Sequence, residues 1–443
     1  MANRGQSAPS LFGINPPTGI VALLLALTAV TMTPAVPAVQ AQTYTVLHTF
    51  YDESDSGLPY GGLTLDRAGN LYGTAFWGCG NGSCSGLVYK LSNRGGGWTF
   101  TPLYSFRGGV DGAGPFAGVT IGPDNALYGT TVNGGTYNYG IAYRITPPAS
   151  SCRNIDCEWT KTTLWSFGGP NDGAYPYGPV TFDAAGNLYG TTIGGPSGPG
   201  AVYRLTKSGN SWTESILWGF SGPDGADPYG NLVLDASGNI YGTAFEGGYS
   251  GCPHYNTCGT VFEVSPHGGY WTETTLHRFL GGADGDQPYA GLTWDNSGNL
   301  FGVTSSDGPI GGGTVFELTP ANGGWSYSIA YGLPGVTMSD FANPGPRGTL
   351  IVDHAGNLYG TTIENGTENL GTIFMLAPGN SGFTYTDLYD FCTESGCPDG
   401  SWPWAGVVRD SSGNLYGTGI AGGYRQGNCI NVGGCGVAFK LTP

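Results

Sequence analysis

Short runs in which apolar and polar side chains alternate recur along most of the chain, and Gly, Pro, Asn or Asp bounds each of them. A period of two is typical of β-strands that bury one face. One stretch shows four such runs in succession, with Gly238 able to take the left-handed conformation in a turn between the first two. These runs are Tyr229–Asp235, Asn239–Phe245, Gly259–Val264 and Trp271–Phe279. The pattern predicts a four-stranded antiparallel sheet.

The phrase Gly-Asn-Leu-Tyr-Gly-Thr, or a close variant of it, recurs through the chain. Its aromatic residues are Tyr72, Tyr128, Tyr189, Tyr241, Phe301, Tyr359 and Tyr416. The steps between them are 56, 61, 52, 60, 58 and 57 residues. Such periods are typical of solenoids, propellers and arrays. Four strands repeated seven times predict an all-β fold, a seven-bladed β-propeller.

The two ends of the repeat region are complementary. The run Tyr44-Thr-Val-Leu-His-Thr-Phe50 matches the fourth run of a unit, whereas Gly436-Val-Ala-Phe-Lys-Leu441 matches the third. We therefore expect the N-terminal strand to complete the last blade, which closes the ring and removes an exposed edge pair. The predicted organisation is a single propeller domain at residues 42–443.

The first 41 residues are predicted to be a signal peptide. An apolar run of thirteen residues, 20–32, is too short for a membrane span, and Val39-Gln-Ala41 fits a small-residue cleavage site. The alternative is an uncleaved N-terminal anchor. Because no later segment approaches eighteen continuous apolar residues, we expect a secreted protein, extracellular or periplasmic, with no membrane span in the mature chain.

The ten cysteines agree with export, because they form five close pairs in loop-like stretches. An even count in an exported chain favours disulfides. Thiolate ligation of a metal is the alternative, but the C-x₂-C spacing of zinc sites is absent. The predicted disulfides join Cys79 to Cys84, Cys152 to Cys157, Cys252 to Cys258, Cys392 to Cys397 and Cys429 to Cys435.

Composition supports this fold and excludes one class of partner. The chain of 443 residues holds 82 Gly and 30 Pro, but aromatic residues make up 13% and charged residues only 10%. A disordered chain would be poor in aromatics. The net charge of −16 leaves no basic footprint, so we expect no nucleic-acid partner.

Three phrases of the repeat resemble a known family. They are Gly-Asn-Leu-Tyr-Gly-Thr, Gly-Thr-Val-Phe-Glu-Leu318-Thr-Pro and Asp224-Gly-Ala-Asp-Pro-Tyr229. The unit resembles the GloVer (Gloeo/Verruco) tandem repeat of exported, β-propeller-like bacterial proteins. The resemblance covers nearly the whole mature chain and implies no established enzymatic activity.

An Asp stands four residues before a Pro in every unit. These residues are Asp55, Asp111, Asp172, Asp224, Asp284, Asp340 and Asp399. A ring of carboxylates could bind Ca²⁺ or a cationic ligand. The alternative is that each Asp accepts hydrogen bonds from its own turn. We favour the second interpretation, because a feature of every blade is better explained by a need of every blade. The same argument makes the aromatics that follow Pro packing residues: Tyr60, Phe116, Tyr177, Tyr229, Tyr289 and Trp404.

Positions where the units differ are better candidates for function. The residue before each Pro varies: Leu58, Gly114, Tyr175, Asp227, Gln287, Asn343 and Trp402. The loops between second and third runs add Trp77, Asn133, Tyr137, Tyr139, Glu246, Tyr249, His254, Tyr255, Glu364 and Tyr424. Aromatics beside carboxylates and amides suit sugar binding. The predicted ligand-binding residues are Trp77, Tyr175, Asp227, Gln287, Asn343 and Trp402.

Catalysis has weaker candidates. Asp227 with Glu246 or Asp286 could form a glycosidase acid/base pair, and a lyase could use His254 or Tyr255 as base. The function predicted is an exported binding module for extracellular glycan. A polysaccharide hydrolase or lyase, and a scaffold that binds a surface protein, are the alternatives.

Overall fold

The structure is a computed structural model that describes residues 42–51, 57–77, 85–148, 159–169, 172–196, 198–209, 211–252, 256–336, 344–424 and 433–443. These residues belong to one compact unit, Ala41–Pro443. The predicted signal peptide lies outside them.

The seven repeats form seven antiparallel sheets of four strands, which confirms the predicted seven-bladed β-propeller. Blade 1 contains β2 (Thr64–Leu65), β3 (Leu71–Ala75), β4 (Leu87–Asn93) and β5 (Trp98–Ser105). Blade 2 contains β6 (Thr120–Ile121), β7 (Leu127–Thr131), β8 (Ile141–Thr146) and β9 (Thr160–Ser166). Blade 3 contains β10 (Thr181–Phe182), β11 (Leu188–Thr192), β12 (Ala201–Ser208) and β13 (Ser211–Gly219).

The remaining blades follow the same order. Blade 4 contains β14 (Val233–Leu234), β15 (Ile240–Ala244), β16 (Thr260–His267) and β17 (Tyr270–Arg278). Blade 5 contains β18 (Thr293–Trp294), β19 (Leu300–Thr304), β20 (Gly311–Ala321) and β21 (Gly324–Pro334). Blade 6 contains β22 (Ile351–Val352), β23 (Leu358–Thr362), β24 (Thr372–Gly379) and β25 (Gly382–Asp390). Two 3₁₀ turns, Gly109–Asp111 and Gly282–Asp284, are the only helical elements of the described residues.

Blade 7 is built from both ends of the repeat region. It contains β26 (Val408–Arg409), β27 (Leu415–Gly419), β28 (Val437–Thr442) and, as its outer strand, β1 (Thr43–Thr49). β1 pairs antiparallel with β28 from Thr43 opposite Thr442 to Thr49 opposite Val437. The predicted closure of the ring by the N-terminal strand is confirmed.

The inner strands are shorter than the sequence pattern predicts. The run Tyr229–Asp235 contributes only β14, Val233–Leu234, to the ladder. The preceding residues instead make contacts between blades: the Thr181 hydroxyl donates to the Leu232 carbonyl of the next blade at 2.8 Å. The innermost segment of each blade therefore lies against the next blade as well as along the axis.

The hydrophobic core consists of seven clusters, and each lies between two neighbouring blades. The cluster between blades 7 and 1 joins Phe50 of the N-terminal segment to Leu71 and Tyr89, all fully buried. A blade buries its faces only when both neighbours are present, so closure of the ring completes the core.

Close packing explains the glycine after the repeated aromatic. A Cβ on Gly302 would lie 2.3 Å from Phe316 Cζ and 2.8 Å from Leu292 Cδ2. The same conflict occurs in every blade, between Gly73 and Tyr89, Gly129 and Tyr143, Gly190 and Tyr203, Gly242 and Phe262, Gly360 and Phe374, and Gly417 and Phe439. The glycine makes room for the largest buried side chain of the third strand.

The threonine that follows this glycine joins adjacent blades. In five blades its hydroxyl donates to a carbonyl just before the inner strand of the next blade, in the pairs Thr74–Ala117, Thr130–Gly178, Thr243–Ala290, Thr361–Ala405 and Thr418–Gly61. Blade 5 has Val303 at this position. There, Ser305 Oγ donates instead to the Pro346 carbonyl at 2.8 Å.

The Asp of each Asp-x-x-Gly turn organises the hairpin between the first and second strands of its blade. Asp66 accepts hydrogen bonds from the Ala68 and Asn70 amides, the Asn70 side chain and the Tyr72 hydroxyl. Partial burial alone would raise the pKa of Asp66, but these hydrogen bonds outweigh it and hold the pKa below its usual value. The repeated Asn and Tyr thus serve the turn.

The described cysteines are paired. Disulfides join Cys252 to Cys258 and Cys392 to Cys397, as predicted. Cys435 is also disulfide-bonded, and its predicted partner Cys429 lies outside the described residues. The predicted pairs Cys79–Cys84 and Cys152–Cys157 lie outside them too. No helix in the described part of the chain is long and apolar enough to cross a membrane.

Gly302→Ala should destabilise the protein by about 1–3 kcal/mol, because the added methyl overpacks the site against Phe316. Gly324→Ala in the same blade is the matched control, since a Cβ there meets no atom within 4 Å. Urea unfolding of both variants checks this. Equal losses of stability in the two variants would contradict the packing explanation.

Candidate functional site

The loops between blades and the loops between second and third strands lie on one face of the propeller. Single antiparallel bridges pair the two kinds of loop within a blade: Ala113 with Asn133, Ala174 with Gly194, Ala226 with Glu246, Asp286 with Ser306, and Ser401 with Ala421. This face, here called the loop face, therefore gathers the variable positions of the repeat.

Seven half-buried side chains surround the axis at the loop face. This channel belt consists of Tyr60, Phe116, Tyr177, Tyr229, Tyr289, Arg347 and Trp404, one from each blade. Neighbouring rings contact one another, with centroids 4.8 Å apart for Tyr60–Phe116, 5.0 Å for Phe116–Tyr177 and 4.7 Å for Tyr229–Tyr289. Trp404 closes the belt against Tyr60 at 5.2 Å. The aromatics predicted as packing residues thus pack on each other and line the axis.

The belt surrounds a cavity of about 340 Å³ on the axis. The inner segments of the blades line the same cavity and approach each other closely, since a Cβ on Gly118 would lie 2.4 Å from the Gly62 carbonyl oxygen. A hydrogen bond of 2.6 Å from the Thr349 hydroxyl to Asn231 Oδ1 links blades 6 and 4, past Gly291 of blade 5. The cavity has the volume of a small-molecule site, roughly 300–1,000 Å³.

The sixth blade differs from the spacing that the sequence suggests. In the other blades, the Pro ring lies against a glycine that precedes the third strand, as Pro288 lies against Gly259. In blade 6 the residue in this place is Pro346, against Gly313, and not Pro344. The belt residue is therefore Arg347. Sequence reasoning missed it, although Arg347-Gly-Thr-Leu350 matches Tyr60-Gly-Gly-Leu63 and could have revealed it.

A proline precedes each belt residue, and the residue before this proline adopts a left-handed backbone in six blades. Its φ is 58° for Leu58, 67° for Gly114, 57° for Tyr175, 51° for Asp227, 58° for Gln287 and 53° for Trp402. Glycine takes this conformation without steric cost, whereas other residues pay roughly 1–2 kcal/mol. Five blades nevertheless hold a larger side chain there. Strain of this kind clusters at functional sites.

The structure places four of the six predicted ligand-binding residues in this ring. Tyr175 and Trp402 are half-buried, and the Tyr175 ring lies 5.5 Å from Tyr139 of the adjacent loop. Gln287 is fully buried. Trp77 is 41% exposed and begins a loop of blade 1 on the same face. Asn343 lies outside the described residues.

Two of the candidate catalytic carboxyls come together. The backbone bridge between Ala226 and Glu246 brings Glu246 beside Asp227. Burial, together with the charge of Glu246, raises the pKa of Asp227 to about 6. Asp286 is fully buried. His254 and Tyr255 lie outside the described residues.

The candidate metal ligands accept hydrogen bonds from their own blades. Asp224 accepts from the Ser221 amide, Asp284 from Leu280 and Asp399 from Cys392. Asp172 accepts from the Gly168 amide, and Asp111 from Arg107 and Lys161. Within the described residues, no group of three or more His, Cys, Asp or Glu could hold a metal ion. Asp55 and Asp340 lie outside that part of the chain.

Fold and site together define a β-propeller with a cavity on its axis, lined by the channel belt and by the inner segments of the blades. The model of the Gloeobacter/Verrucomicrobia repeat matches residues 28–156 and 153–345, and the chain belongs to this family. The fold and the family indicate a binding or scaffold module.

The chain is similar to a crystal structure of a protein of unknown function from Dyadobacter fermentans DSM 18053, with 11% identity and a TM-score of 0.44, over 91% of this chain and 99% of that one. No curated protein matches the chain.

Asp227→Asn should stabilise the protein at pH 8 but not at pH 4. The folded-state pKa of about 6 lies above the unfolded value of about 3.9, so the folded state binds the extra proton between them. The wild type therefore loses stability as the pH rises through this window. Solvent screening limits the gain of the variant to about 1 kcal/mol.

Thermal unfolding of wild type and variant at both pH values measures this difference. Other carboxyls also titrate, because burial and Asp172 raise the pKa of Glu214 to about 8. The comparison of the two proteins isolates Asp227. A gain of the same size at pH 4 and pH 8 would show that the Asp227 carboxyl carries no raised pKa.

Proposed function

We propose that the protein is an exported binding module whose ligand is an extracellular glycan, bound at the channel belt on the loop face. One observation carries the proposal: a cavity on the axis lined by belt aromatics, each of which lies two residues after a left-handed position in the same loop. The disulfides are compatible with the exported compartment that the signal peptide predicts.

The chemistry of the belt suits a sugar. Aromatic faces stack on the C–H faces of sugar rings, and tyrosine hydroxyls hydrogen-bond to sugar hydroxyls. Burial raises the pKa of Tyr60 and of Tyr177 above that of a free tyrosine, so both phenols stay protonated at neutral pH and can donate. The half-buried Asp227 and Tyr175 precede the belt residues Tyr229 and Tyr177 by two positions, and they add an acceptor and a further ring on the same face.

The distribution of repeated and variable positions also supports a ligand-binding role for the loop face. Packing between blades accounts for the repeated Gly, Thr and Asp side chains described above. It does not account for the Tyr, Asp and Trp that blades 3, 4 and 7 have at the left-handed position, where blade 2 has Gly114. We infer that ligand contact, rather than folding, selects these side chains.

Trp402→Gly and Tyr175→Gly should each weaken glycan retention at least fivefold. Glycine removes the aromatic surface and suits the left-handed backbone, so both variants should keep their fold. Retention on a panel of immobilised polysaccharides, followed by calorimetry, measures the loss. Tyr270→Ser is the matched control, because Tyr270 is an exposed aromatic at a hairpin on the opposite face.

Unchanged retention in both Gly variants would remove the site assignment. No retention of the wild type on any polysaccharide would reject the glycan proposal. That outcome would favour the scaffold alternative, in which the loop face binds a surface protein.

Hydrolysis of a polysaccharide is the second candidate, favoured by the pairing of Asp227 and Glu246. A carboxyl with a pKa near 6 is suited to general acid catalysis beside a second carboxylate. If this pair is catalytic, the wild type should release reducing ends from a bound polysaccharide, and Asp227→Asn should reduce the rate at least a hundredfold. Binding without release of reducing ends would reject catalysis and leave the binding function intact.

A further inference from the structure

The sixth position of the channel belt breaks the aromatic pattern. The other six belt residues are Tyr, Phe or Trp, whereas blade 6 supplies Arg347. Pro346 before it and the buried Leu350 after it match the other blades. An aromatic residue therefore suits this backbone position as well as it does in the other blades.

Arg347 lies within the belt rather than beside it. Its guanidinium carbon is 4.0 Å from the Trp404 ring centroid and 5.4 Å from that of Tyr289. Cation–π contacts of this kind hold a guanidinium in place. A guanidinium directs its N–H groups in its own plane, a geometry that matches a carboxylate with two parallel hydrogen bonds.

Arg347 places a positive charge in the wall of the cavity. Among the described residues that line the cavity, Arg347 is the one Lys or Arg, and no Asp or Glu lines it. Its positive charge reaches the neighbouring phenols: burial raises the pKa of Tyr60 and of Tyr289, and Arg347 partly opposes the rise in both. The acidic pair Asp227 and Glu246 instead acts on Tyr229, at another part of the belt.

We propose that the channel cavity binds acidic glycans, with a uronate carboxylate held by Arg347 and the sugar ring stacked on the adjacent belt aromatics. This inference rests on the proposed glycan-binding function and names the ligand class. The overall charge of −16 repels a polyanion at long range. Because salt screens exposed charges beyond about 10 Å at 0.1 M, short-range contact with Arg347 decides the preference.

The test uses matched ligands that differ in charge and by one methyl group on each carboxyl. Oligomers of galacturonate, glucuronate and mannuronate are titrated into the purified protein, each beside its methyl-esterified form. We expect the wild type to bind at least one acidic oligomer tenfold or more tightly than its ester.

Two variants assign this preference to the guanidinium. Arg347→Tyr restores the residue that blades 1, 3, 4 and 5 carry, so the belt should stay packed and the melting temperature unchanged. It should bind the acid and the ester equally. Arg347→Lys keeps the charge without the planar fork and should retain only part of the preference.

The outcomes separate the two proposals. Binding of an acid and its ester with equal affinity by the wild type would overturn the acidic-glycan inference and leave glycan binding standing. Tight binding of an acid that survives in Arg347→Tyr would also overturn it. Binding of neutral polysaccharides alone would contradict this inference only, whereas no binding of any carbohydrate would overturn both.

Discussion

Each blade depends on contact with both neighbours, because a four-stranded sheet cannot bury its own faces. The seven core clusters all lie between blades. At every interface the large aromatic of the third strand fills the space above a glycine of the second. β1 pairs with β28 as the outer strand of blade 7. This pairing completes the last blade and closes the ring.

This constraint explains why so much of the sequence repeats and so little of the repetition concerns function. The Gly serves the same contact in every blade, and the Thr that bridges blades and the Asp that organises a hairpin each do so in most of them. Even a departure is compensated locally, since Ser305 makes the bond to blade 6 that Val303 cannot make.

The repeat also places one residue of each blade at the axis, and the type of this residue can differ from blade to blade. Six aromatics and Arg347 form a belt whose members contact each other without contributing to the cores between blades. The ring of left-handed positions beside it holds larger side chains despite the strain. Both rings differ between blades on the same face, which gives a symmetric scaffold an asymmetric, charged cavity.

The sequence by itself determined the fold, the number of blades, the closure by the N-terminal strand and two of the disulfides, because period-two alternation and a repeat of 52 to 61 residues leave few other architectures. It also identified Tyr175, Asp227, Gln287 and Trp402 as variable. In blade 6 the sequence leaves two prolines open, because Pro344 satisfies the Asp–Pro spacing while Arg347-Gly-Thr-Leu350 matches the repeat from Pro346. Only the tertiary structure decided between them and placed Arg347 in the belt, because Pro346 packs against Gly313. Likewise, the left-handed backbone of Asp227 and its proximity to Glu246 depend on a bridge between two loops that are separate in the sequence and that the folded blade brings together.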